Sequence, residues 1–185
     1  MDKPSTYCRA IPLMKEPEQS LHRNYHDHHY GFPIEDDQEL FERLILEINQ
    51  AGLSWTTILK KQEHFRKAYH GFIIKKVAAY AERDVERLMQ DAGIIRNKLK
   101  ILAAIHNAQV ILKLQKEYGS FKRWLDHHHP LDKPGWVKLF KQHFRFTGGE
   151  IVNEFLMSTG YLPGAHEESC PVHKKISKLS PAWKK

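Results

Sequence analysis

From Asp36 onward the apolar residues of this chain return at intervals of three and four, and nowhere do they alternate with polar ones for long enough to build a strand. A chain patterned this way buries stripes on helices rather than faces of sheets, so the expected fold class is all-α. Leu40, Phe41, Leu44, Ile45 and Ile48 follow an Asp-Asp start and predict a helix over 37–50. Ala51-Gly52-Leu53 interrupts it, and Ser54 is placed to cap a second helix bearing Ile58, Leu59, Phe65 and Tyr69. Shorter helices are expected over 74–80 and 82–91, then a long one over about 97–118 with Ile101, Ile105, Ala108 and Leu112 down one face. Gly119 ends that helix, and Ser120 starts a short one through Trp124 and Leu125. The stretch from His127 to Gly135 reads as a loop, and two more helices fall near 135–142 and 148–159, the last closed by Gly160. The first 35 residues, with prolines at 4, 12, 17 and 33, read as irregular, and no internal repeat is present.

A length of 185 residues suits one compact domain or two tightly joined lobes, and 41% hydrophobic with 28% charged residues is a globular rather than a disordered balance. The net charge of +7 favours a polyanionic partner, nucleic acid before anionic membrane. No segment approaches the roughly 20 apolar residues of a membrane helix, so no membrane partner is expected. The N-terminus is polar and lacks the apolar core of a signal peptide, so the expected location is the cytoplasm. The two cysteines lie at opposite ends of the chain; a disulfide is conceivable, but in a reducing compartment metal thiolates are the more informative use.

Two constellations carry chemistry. The segment from Glu86 to Lys100 reads as helix, tight turn and helix, with Gly93 permitting a positive φ and Ile94 and Ile95 anchoring the turn. Such a turn leaves the first N–H groups of the next helix free, and unpaired donors with the helix dipole favour a phosphate. Arg96, Lys98 and Lys100 add charge around it. An ordinary helix–helix connection with a solvated basic face fits the same spacing. The second constellation joins the chain ends: Cys8 and His26, with 17 residues between them, and His166 and Cys170, with three between. Together they are the donor set of a closed, structural Cys₂His₂ zinc site. They also read as four unrelated residues in a chain with 13 histidines, where His22, His28, His29 and His173 compete.

Further runs make the chain similar to a known family. Tyr25-His26-Asp27, Gly31-Phe32-Pro33, Glu47 with Gln50-Ala51-Gly52-Leu53-Ser54-Trp55, Lys76-Val77-Ala78-Ala79, Asp84-Val85-Glu86-Arg87-Leu88, Asp91-Ala92-Gly93-Ile94-Ile95-Arg96, Phe144-Arg145-Phe146-Thr147-Gly148 and the His166…Cys170 pair resemble the 3-methyladenine DNA glycosylase I family from about residue 8 to 170. The resemblance implies a helix-hairpin-helix DNA glycosylase fold whose N- and C-terminal segments are joined by one structural zinc on Cys8, His26, His166 and Cys170. It implies a single glycosylase domain over 1–185, with a helix-hairpin-helix lobe over about 37–118 and a second lobe from 1–36 and 119–185. Gly93, Ile94, Ile95 and Arg96 become the DNA anchor, and the Gly52-Leu53 turn falls where the family probes the space left by a flipped nucleotide. Glu47 becomes the catalytic carboxylate, and Tyr25, Tyr30 and Trp55 the base pocket.

The implied activity is hydrolysis of the N-glycosidic bond of N3-methylated adenine in double-stranded DNA, in base excision repair; a monomer is the default expectation. The residues suit it, since aromatic faces attract a cationic base and a buried carboxylate adds charge-assisted hydrogen bonding. Spacing alone also allows Trp55 as plain core and Glu47 as a surface residue. No Asp occurs in the 15 to 20 residues after the hairpin, and no lysine there is marked as a Schiff-base nucleophile. Both absences suit a monofunctional enzyme with a pre-activated leaving group. The chain departs from the family pattern at Ala10 and Tyr30, where tryptophan is common, and around Asn153, where a pocket tyrosine is expected. The competing readings are a non-catalytic zinc-stabilised DNA-binding module, a glycosylase for a different damaged base, and a helical protein–protein adaptor.

Overall fold

The computed structural model describes residues 6–185, in which all regular structure is helical. Eleven α-helices follow in order: α1 Tyr7–Ala10, α2 Glu18–His28, α3 Asp37–Gln50, α4 Trp55–Ala68, α5 Ile74–Ala78, α6 Glu82–Gln90, α7 Lys98–Tyr118, α8 Phe121–His128, α9 Lys133–His143, α10 Gly149–Ser158 and α11 Pro171–Ser177. The starts follow local chemistry. Asp36, Ser54, Asn97, Ser120 and Asp132 each accept a hydrogen bond from a first-turn backbone N–H of α3, α4, α7, α8 and α9. Gly119 ends α7 in the left-handed conformation.

The hub is α3, which packs against α4, α7, α8 and α10. Enclosure on so many sides explains why Leu40, Phe41, Leu44, Ile45 and Ile48 are fully buried and Leu46 nearly so, a broader apolar surface than one stripe. Asp37 fixes the start of this helix against α8 by accepting from the backbone N–H groups of Phe121 (2.8 Å) and Lys122 (2.9 Å) and from the Gln115 side chain (2.6 Å). Ile101, Ala104, Ala108 and Ile111 turn α7 into the same core.

Two expectations are corrected, and one helix is added. The N-terminal stretch is not irregular throughout: α2 runs for 11 residues, and α1 precedes it. Its buried face is His22, Tyr25 and His26, polar groups that hydropathy does not mark as core. The part of that stretch before Thr6, with Pro4, lies outside the described residues. The supposed loop from His127 to Gly135 is shorter, because α8 continues to His128 and α9 begins at Lys133. Finally, α11 follows Cys170, burying Val172 and Ile176 beside it. None of the described helices is long and apolar enough to cross a membrane.

Candidate active site

A cavity of about 360 Å³ opens where the end of α3 and the start of α4 meet the terminal segments. From the first pair come Glu47, Gln50 and Trp55; from the termini come Tyr7, Tyr25, Tyr30, Glu154, Met157 and Ala165. The four aromatic rings stand edge-on or tilted to one another: Tyr7 to Tyr30 at 5.3 Å, Tyr25 to Trp55 at 5.1 Å and Tyr25 to Tyr30 at 5.7 Å between centroids. Glu47, Tyr25, Tyr30 and Trp55 are thus brought together as expected from the resemblance. Tyr7, Gln50 and Glu154 had not been singled out. Neither Ala10 nor Asn153 lines the cavity; Tyr7 forms the wall near the first, and Glu154 reaches in beside the second.

The cavity's polar edges are unusual for a packed interior. The Tyr25 hydroxyl and the Trp55 Nε1 are buried without any hydrogen-bond partner, a cost normally avoided unless a ligand supplies the acceptor. Glu47 is 3% exposed and has neither an ion pair nor a hydrogen bond among the described residues. Burial pushes its carboxyl up to about 8, with Arg43 opposing and Glu154 adding to the rise. The sequence had offered exposure or pairing; the fold gives neither, and the group is protonated at neutral pH. Arg43, one turn earlier, is committed elsewhere: it donates to the Ser158 carbonyl (3.0 Å) and lies over the Tyr25 ring at 5.2 Å. Across the cavity Glu154 accepts from the Tyr30 hydroxyl at 3.2 Å.

Beside this cavity Cys8, His26, His166 and Cys170 converge, their ligand atoms all within 4.8 Å of one another. Bonds of about 2.0 Å to nitrogen and 2.3 Å to sulfur around a tetrahedral ion place ligand atoms about 3.3–3.8 Å apart. The separations here are 3.3 and 3.7 Å from Cys8, 3.9 and 3.8 Å from Cys170, and 3.0 Å between the histidines. The outer ring nitrogens fix the tautomers: His26 Nδ1 donates to the Asp27 carboxylate (2.6 Å) and His166 Nε2 to the Tyr30 carbonyl (2.7 Å). Two lone pairs then face each other across the centre, which a cation relieves. Burial also lowers His166 to about 4, so it stays neutral as a ligand must. The residues therefore fit a tetrahedral metal ion.

Cluster and cavity are mechanically one object. Tyr7, Tyr25 and Ala165 each immediately precede a ligand, and the carbonyl of a fourth wall residue, Tyr30, accepts from the ligand His166. Gly31 makes this possible: its φ is +82, and a Cβ there would come within 2.8 Å of Ala165 and 3.3 Å of His166.

The hairpin between α6 and α7 differs in detail from expectation. Gly93 does not adopt a positive φ. It is required by space instead, since a Cβ would meet Asp91 Oδ1 at 2.9 Å and the His64 side chain at 3.0 and 3.1 Å. Its N–H donates to Asp91 Oδ1 (2.7 Å), closing the turn. Ile94 is buried and Ile95 partly so, while Arg96 is exposed. Lys100 adds nothing to the surface charge. It is turned inward, donating to the Asn49 (3.0 Å) and Ala51 (2.8 Å) carbonyls at the end of α3. Lys61 of α4 donates to the Ala92 (2.8 Å) and Gly93 (3.2 Å) carbonyls. Two lysines therefore brace the hairpin against the turn that carries Gly52 (φ +84) and the 40%-exposed Leu53.

Fold and site together define a class: an all-helical protein with an aromatic, acid-lined cavity large enough for a nucleobase, beside a braced helix–turn–helix edge. Residues 15–134 match the methyladenine glycosylase family. A DNA-3-methyladenine glycosylase of Haemophilus influenzae is 36% identical over 173 residues, covering 83% of this chain and 93% of that protein. DNA-3-methyladenine glycosylase 1 of Escherichia coli is 50% identical over 104 residues, 56% of the length of each. Among solved structures, a variant of 3-methyladenine DNA glycosylase I in complex with 3-methyladenine superposes with a TM-score of 0.77 at 34% identity, over 88% of this chain and 95% of the other. The 3-methyladenine DNA glycosylase I of Staphylococcus aureus gives 0.75 at 34% identity, over 86% and 93%. The chain belongs to the methyladenine glycosylase family.

Proposed function

We propose that this chain is a monofunctional DNA-3-methyladenine glycosylase of base excision repair, acting on alkylated adenine flipped out of double-stranded DNA. The observation that carries the reading is the cavity's polar edge. Two buried donors without partners, Tyr25 hydroxyl and Trp55 Nε1, and two carboxyl groups, Glu47 and Glu154, stand among aromatic walls. An adenine ring offers the matching set, with acceptor ring nitrogens and a donor amino group.

An adenine methylated at N3 is cationic, and its bond to the sugar is already weakened because the base departs neutral. The C–N electrons leave with the base, water adds to the sugar carbon, and the water's proton passes to solvent. The protein therefore has to extrude the nucleotide, hold the cation and admit water. Flipping costs a few kcal/mol, least for a damaged base. Each aromatic face returns about 0.5–2 kcal/mol against a cation. A cation beside Glu47 acts on it as Arg43 does and draws the carboxyl into its ionised form, which then binds the base by a charge-assisted hydrogen bond. This makes Glu47 the catalytic carboxylate and Tyr25, Tyr30 and Trp55 the base pocket.

Zinc is the metal that a Cys₂His₂ tetrahedron suits, and its role here is structural, tying α1, α2 and the segment before α11 together behind the pocket wall. The hairpin at Gly93, Ile94, Ile95 and Arg96 contacts the phosphate backbone, as in a helix-hairpin-helix protein. The Gly52-Leu53 turn enters the duplex where the nucleotide has left. In this reading the helices of 37–118 form one lobe and the terminal segments the other, in a cytoplasmic monomer. Chromatography of bases released from methylated DNA tests the function. Wild type should release 3-methyladenine, and Glu47→Gln should do so at least about tenfold more slowly, the loss expected for one hydrogen bond to a charged group. A wild type that releases no 3-methyladenine refutes the reading.

A further inference from the structure

Glu154 is a carboxyl group that the reading above leaves without a task, and its surroundings give it one. It sits on α10, which packs against α3, so it faces the same cavity as Glu47 from a different wall. Its one hydrogen bond among the described residues comes from the Tyr30 hydroxyl, at 3.2 Å to Oε2, which leaves Oε1 unclaimed. Among the described residues no basic side chain lies within ion-pair distance of it, whereas Glu150, one turn earlier, has Lys133 at 3.1 Å. Arg43 of α3, which does not line the cavity, donates to the Ser158 carbonyl. A half-buried acid without an ion pair, held at a cavity wall by a phenol, is built to meet a cation.

Resting on the base-pocket reading, we propose that Glu154, held by the Tyr30 hydroxyl, is a specificity-determining residue that selects positively charged, amino-bearing bases by opposing their charge and accepting from the exocyclic amino group. Glu47 and Glu154 then clasp one cation from two walls. Neutral bases gain the hydrogen bond without the charge term and bind less well. Burial and the neighbouring Glu150 both push the Glu154 carboxyl upward, while the Tyr30 hydroxyl and, from beyond ion-pair distance, Lys133 oppose them; the net shift is upward, so a cation in the cavity stabilises the ionised form.

Calorimetric titration with two small probes tests this. One is 3,9-dimethyladeninium, a permanent cation, and the other is 3-methyladenine, the neutral free base; both carry the amino group. Glu154→Gln keeps size and can still hydrogen-bond Tyr30, and a thermal melt checks that it folds. It should weaken the cation about tenfold and the neutral base less than about threefold, as expected when a charged acceptor becomes neutral. Tyr30→Phe, which frees the carboxylate, should shift the same ratio in the same direction by a smaller factor. Equal losses for both probes, or no loss for either, overturn the assignment of Glu154 while leaving the base pocket standing. A wild type that binds neither probe and releases no base from methylated DNA overturns the base-pocket reading and this inference with it.

Discussion

Replacing Glu47 with Gln should stabilise the ligand-free protein, and by an amount that grows with pH. Its carboxyl is buried beside Leu46 and Ile48 and sits at about 8 rather than the ordinary 4.5, mainly through loss of solvation. Between those values the folded chain holds a proton that the unfolded chain releases, so unfolding becomes easier by about 1.4 kcal/mol per pH unit. Above about 8 both states are ionised and the folded one carries the full cost, about 5 kcal/mol. Gln cannot ionise. The variant should therefore nearly match wild type at pH 4, exceed it by about 3 kcal/mol at pH 7 and by about 5 at pH 9. Urea unfolding followed by circular dichroism, with both proteins measured from pH 4 to 9, reads this difference directly. Metal-ligand protonation contributes to both curves and cancels. A difference that stays flat with pH, or a variant less stable than wild type at pH 9, would show that Glu47 is solvated or paired in solution. The protonated-carboxyl account would then be wrong.

Two further outcomes follow from the cluster and the hairpin. Protein purified without added metal should contain one zinc per chain by elemental analysis. Cys170→Ala should lose it and melt about 10 °C lower, corresponding to a few kcal/mol at 2–4 °C each. Because Tyr7, Tyr25 and Ala165 precede ligands, the same variant should also lose affinity for 3-methyladenine; a metal-free wild type of full stability would sink the claim. Gly93→Val should bind an abasic-site duplex about tenfold more weakly at fixed salt, because the added carbons collide with Asp91 and His64 and distort the turn. Wild-type affinity in that variant would mean that the hairpin is not the anchor.

What the sequence determined by itself is the part of this protein governed by neighbours along the chain. Asp36, Ser54, Asn97 and Ser120 cap helices through their own first turns, and the three-and-four spacing around Leu40, Leu44 and Ile48 is a property of α3 alone, so boundaries and class were legible. The resemblance named Glu47, Tyr25, Tyr30, Trp55 and the four Cys and His residues, and the fold brings each set together. What it could not carry is anything decided between segments distant in the chain. Helix α2 escaped because its buried face is polar, and His22 is tolerable there only because Tyr7 and Thr56 hydrogen-bond its two ring nitrogens. Lys100 looks like surface charge until the carbonyls of Asn49 and Ala51 arrive to receive it. Gly93 is a glycine for want of room rather than for φ, and the room is taken by His64 on another helix. The protonation of Glu47 belongs to the same class. An acid between two apolar residues can be exposed, paired or buried, and the walls built from residues near 7, 25 and 154 remove its solvent without supplying a partner.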